Sequence, residues 1–199
     1  MSKSRQKQGK TGKTRRGVSK TRRRIISVSD VRQRLSELRS KDAAHFEALK
    51  KRSDNIQERH GGVPEFYALS TKAASTFGLL QMAAARKRLI KNLDSKISEA
   101  VDAAEGNPRA LAELNALVRE MNSRSAKLHN SYKREMRVLR AQIESSEKNG
   151  SGSEGPGLTR ANLFQHRPWE HRIASQNLQR ELTRKLTKIK ERNGLRSNT

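Results

Sequence analysis

The chain has no cysteine and, in 199 residues, only one tryptophan, two tyrosines, four phenylalanines and four prolines. Without cysteine there is no disulfide, no thiolate zinc site and no cysteine nucleophile. With aromatics at 4% and hydrophobic residues at 32%, one large compact core is out of reach, so each helix must bury a single stripe. No run approaches the roughly 18 consecutive apolar residues of a membrane span. The N-terminus also lacks the apolar core of a secretory signal. Acid is scarce as well, with 20 Asp and Glu against 44 Lys and Arg, a net charge of +24. These shortages point to a soluble intracellular or virion-interior protein, cytoplasmic in a host without a nucleus and compatible with the nucleus in a eukaryotic one.

What is abundant is cation, concentrated at both ends. Residues 1–24 hold eleven Lys or Arg and no acid. Such a segment buries too little to offset its ordering entropy and repels itself, so 1–27 reads as a disordered basic arm. Its densest part is Lys13, Arg15 and Arg16, then Lys20, Arg22, Arg23 and Arg24. Each such cation near a polyanion displaces condensed counterions, which gives a strong, salt-dependent attraction that is blind to sequence. Arginine adds a planar fork that bridges phosphates and stacks on exposed bases. A nuclear import signal, an anionic membrane and plain solubility are the competing uses of the same arm.

From residue 28 the pattern is helical. Val28, Val31, Leu35, Leu38, Leu49 and Ile56 alternate steps of three and four if Asp42, His45 and Arg52 are taken as interruptions, which predicts a helix over 30–59 capped by Ser29. A second helix is expected over 65–104, with an apolar face that includes Ala73, Phe77, Leu80, Ala84, Ile90, Leu93, Ile97, Ala100 and Val101. Gly106, Asn107 and Pro108 end it and open a third over 108–148, with Asn107 as cap and Pro108 in the first helical position. Its stripe is Leu111, Leu114, Val118, Met121, Leu128, Tyr132 and Leu139. Two such segments joined by a short turn fold back on each other. A Gly/Ser linker over 149–157 leads to a basic helical segment, 158–199, in which Pro168 opens a last helix with Ile173, Ala174, Leu178, Leu182, Leu186 and Ile189 inward.

The expected fold is therefore all-α: a long antiparallel, coiled-coil-like hairpin within a scaffold over 28–148, with an additional N-terminal helix, a basic C-terminal helix and the arm. Candidate nucleic-acid contacts beyond the arm are Arg86, Lys87 and Arg88 on the second helix, expected to oppose Arg124 and Lys127. On the last helix they are Arg167, Arg172, Arg180, Arg184, Lys185 and Lys188. Phe164 and Trp169 flank a cationic stretch and are candidates for base stacking. The simpler and preferred use of that pair is a staple that docks the last helix onto the hairpin.

No chemistry is legible. Gly12-Lys13-Thr14 resembles the end of a phosphate-binding loop, but Lys7 stands where the required glycine would be. His166 and His171 are too far apart on a helix to act as a ligand pair, so no metal and no cofactor are assigned. The expectation is a non-catalytic protein that packages or chaperones nucleic acid, RNA slightly ahead of DNA, as a homo-oligomer without a small-molecule substrate or a membrane role. The alternative is a coiled-coil adaptor or assembly component that meets acidic protein surfaces.

Overall fold

A computed structural model describes residues 25–59, 61, 71–148 and 160–195, with the backbone alone at 71, 72, 74, 146–148 and 160–168. Four helices follow one another: α1 (Val28–Arg59), α2 (Thr71–Ala103), α3 (Pro108–Lys148) and α4 (Arg160–Arg192). Residues 1–24 of the expected arm, the expected helical residues 65–70 and the linker 149–157 lie outside the described residues, and 25–27 are corrected from arm to fold, with Ile26 packed against the core and Ser27 bonded to the first turn of α1.

Local chemistry sets the helix ends. The cap of α1 is Ser27 rather than Ser29. The Ser27 Oγ accepts from the Asp30 amide at 3.2 Å while the Asp30 carboxylate accepts from the Ser27 amide at 3.0 Å. This reciprocal pair satisfies donors that the first turn leaves open, and it starts the helix two residues before the expected position. The cap of α3 is as expected, with Asn107 Oδ1 accepting from the Ala110 amide at 3.0 Å. Helix α4 ends on Gly194 at φ +62°, where the Leu195 amide reaches back to the Lys190 carbonyl at 2.9 Å and Leu195 tucks into the core. Its start departs from expectation: α4 begins at Arg160, so Pro168 sits inside the helix and does not open it.

Packing is set by the stripes. Helix α2 runs antiparallel to α1, as the Arg39–Asp94 pair at 3.0 Å and the Lys87–Glu47 pair at 3.5 Å record. Helix α4 runs antiparallel to α3, through Arg192–Glu113 at 3.2 Å near one end and His171–Glu135 at 3.0 Å toward the other. Helices α2 and α3 form the middle, α1 and α4 flank them, and among the described residues α1 does not contact α4.

Two apolar clusters result. The larger draws Val31, Leu35 and Leu38 from α1, Leu93 and Ile97 from α2, Leu114 and Met121 from α3, and Leu182 and Leu186 from α4. The smaller holds Met82, Tyr132, Met136 and Ile143, with Ile56 and Phe77 packed against it. The last helix is therefore part of the main core, and burying each of its leucines contributes about 1.5–3 kcal/mol. Its rotation differs from expectation at one point, because Ile173 is 40% exposed where an inward position was expected. No helix among the described residues is long and apolar enough to cross a membrane.

Candidate functional site

Between the two clusters lies a polar layer that the stripe pattern treats as interruptions. Asp42 is 6% exposed, and its carboxylate stands 3.0 Å from Arg86 Nε, an ion pair whose N–H is not aligned on the oxygen. Burial raises the Asp42 carboxyl above the ordinary carboxylate range, and Arg86 opposes that shift. One turn on, His45 Nε2 and His129 Nε2 share a contact of 3.1 Å, rings edge to face. Burial holds His129 down to about 4, helped by His45, Arg86 and Lys133. His45 is lowered by the same cause, with Asp42 pulling the other way. A cavity of about 10 Å³ lined by Arg86, Ser125, His129 and Ser175 completes the layer, close to the volume of a single water. Among the described residues, no group of three His, Cys, Asp or Glu side chains is placed to hold a metal ion.

The cationic candidates fall into three groups. Lys13, Arg15, Arg16, Lys20, Arg22, Arg23 and Arg24 lie outside the described residues, as do the side chains of Phe164 and Arg167. A second group is engaged within the fold. Arg86 is committed to Asp42 instead of facing Arg124, Lys87 sits 4.2 Å above the Phe46 ring and 3.5 Å from Glu47, and Lys185 donates to Glu120 at 2.5 Å. Arg124 faces α4, where its two Nη atoms donate to the Glu181 carboxylate at 2.6 and 2.7 Å. That fork holds the Glu181 carboxyl down to about 2.

The third group is free for a partner. Arg88 on α2 and Arg172, Arg184 and Lys188 on α4 are exposed and make no side-chain ion pair among the described residues, and Arg180 reaches only Asn177 at 3.5 Å. Trp169 is 61% exposed, so its ring does not dock onto the bundle and the staple is corrected for this residue. With Ile173 one turn on, it forms an apolar step on the outer face of α4, bordered by Arg172.

Sequence reasoning missed Arg34, Lys41 and Arg119, which line a groove between α1 and α3. The only signal for them was the seven-residue spacing of Arg34 and Lys41 beside the α1 stripe. No protein-family model, curated protein or solved structure matches the chain.

Proposed function

We propose that this protein is a non-catalytic nucleic-acid-binding protein, RNA slightly ahead of DNA, that packages or chaperones its ligand through the basic arm and the outer face of α4. The observation that carries the reading is the distribution of unspent cation. Helix α4 gives Leu178, Leu182 and Leu186 to the core and Glu181 to Arg124, and it leaves Arg172, Arg180, Arg184 and Lys188 facing out. A chain of net charge +24 with such a face neutralises phosphates wherever it meets them. The exposed Trp169 beside Arg172 adds a surface on which an unpaired base can stack.

The coiled-coil-like hairpin and self-association belong to the same proposal, with α2 and α3 as its rod. The competing adaptor reading draws on the same exposed Trp169 and Ile173 as an apolar contact for an acidic protein partner.

Nucleic acid carried through purification, seen as a high 260/280 nm absorbance ratio that falls in high salt, is the expected result for the full chain. Deleting residues 1–24 weakens binding to all oligonucleotide sequences alike and flattens the dependence of log affinity on log salt. An unchanged slope refutes the role of the arm, and the absence of oligonucleotide binding at low salt refutes the function.

A further inference from the structure

Helices α1 and α3 run parallel, as the contacts Arg34 with Asn115 and His45 with His129 require. They touch along far less of their length than the antiparallel neighbours do, and a groove of about 290 Å³ opens between them. Four cations from three helices converge on it: Arg34 and Lys41 from α1, Arg86 from α2 and Arg119 from α3. Among the described residues, the only acid on its lining is Glu37. Leu38 and Val118, both buried in the main core, close its floor.

Two of these guanidinium groups are set in place by the fold. The Asn115 side chain, 2% exposed, accepts from Arg34, while Asp42 and the Asn122 side-chain Oδ1 at 3.4 Å hold Arg86 at the base. Lys41 and Arg119 are exposed and without a hydrogen bond or ion pair among the described residues. The fixed forks lower the ordering cost of capturing an anion, and the exposed cations above them add charge. Along α1 the groove's cations, Arg34 and Lys41, are about 10 Å apart at 1.5 Å per residue.

We propose that the α1–α3 groove is a phosphate-binding site for single-stranded nucleic acid, with Arg34, Lys41 and Arg119 on the phosphates and the Asp42-paired Arg86 at its base. The groove, at about 290 Å³, is small beside a duplex, and its converging cations suit the backbone of a single strand. A cationic groove that engages phosphates binds a strand without reading its sequence. The inference rests on the nucleic-acid reading above and adds a site to it, distinct from the arm and from α4.

The test uses the full chain and fluorescence anisotropy with a labelled 12-nucleotide single strand and the matching duplex. The variant Lys41→Glu/Arg119→Glu changes two exposed, unpaired side chains, and Lys91→Glu/Lys96→Glu on the exposed side of α2 matches its charge change. The groove variant is expected to lose at least tenfold in affinity for the strand beyond the loss in the control. Its slope of log affinity against log salt falls by about 1.4, two contacts at about 0.7 each. The milder Lys41→Ala/Arg119→Ala loses less in the same direction. Equal losses in the groove variant and the control, or equal losses for strand and duplex, overturn the groove while leaving the nucleic-acid reading intact. A wild-type chain that binds neither oligonucleotide overturns both.

Discussion

Replacing Gly78 in α2 by alanine tests the tightest helix approach in the smaller cluster. A Cβ built at Gly78 lies 2.1 Å from the Tyr132 hydroxyl oxygen and 3.2 Å from its Cζ. Tyr132 is fully buried and its ring stands edge-on to His171 with centroids 5.1 Å apart, so the ring has little room to withdraw. Alanine gains about 1 kcal/mol over glycine in a helix interior, and overpacking costs about 1–3 kcal/mol. The net expectation for Gly78→Ala is a loss of up to about 2 kcal/mol.

The Tyr132 hydroxyl itself is buried without a hydrogen-bond partner among the described residues. Removing an unpaired hydroxyl relieves a desolvation cost on the order of 1–3 kcal/mol, partly offset by the small space it leaves, so Tyr132→Phe is neutral or stabilising. In that background only the 3.2 Å approach to the ring carbon remains, and Gly78→Ala becomes neutral or stabilising. Urea unfolding followed by circular dichroism on the four proteins gives the coupling, expected at about 1–3 kcal/mol. An alanine cost that is the same with Tyr132 and with Phe, within about 0.5 kcal/mol, refutes the packing reasoning.

The buried histidine predicts an acid-labile fold. His129 is held at about 4 when folded against about 6.5 unfolded, so its contribution is fully present above pH 6.5 and is lost as pH falls toward 4, about 3 kcal/mol in all. Asp42, shifted upward, acts in the opposite direction, and His129→Gln leaves that term in place while removing the histidine's. Unfolding free energies at pH 7 and 4.5 should fall less in the variant than in wild type, and parallel pH profiles count against the idea. For Trp169, exposure predicts a red-shifted emission that a single-stranded oligonucleotide quenches. Trp169→Ala should cost roughly 1–3 kcal/mol of binding with little change in melting temperature. Emission that ignores oligonucleotide removes stacking from the proposed function.

Much of the scaffold was legible because its causes are local. Asn107 and Pro108 fixed the start of α3, and the leucines of α4 from Leu178 onward face the core as their spacing requires. Where local signals competed, position slipped: Ser27 with Asp30 makes a better cap than Ser29, and Pro168 looked like a helix start although α4 begins at Arg160. The fate of the charged candidates was not legible. Arg86 and Lys185 read as free cations, yet one lies beside a buried carboxylate and the other donates to Glu120.

The sequence by itself determined three things: helices as the elements of the described residues, the turn between α2 and α3, and a large excess of cation. All of these follow from spacing of three and four residues, from capping chemistry and from composition, none of which requires a distant partner. Tertiary structure alone decided that Asp42 and His129 turn inward as a polar layer, that Trp169 and Ile173 face out, and that Arg34, Arg86 and Arg119 meet in one groove. Those outcomes depend on which helix packs beside which, and at what rotation and offset. Each is a choice among long-range arrangements of nearly equal stripes, settled by the fit of side chains that lie far apart in the chain.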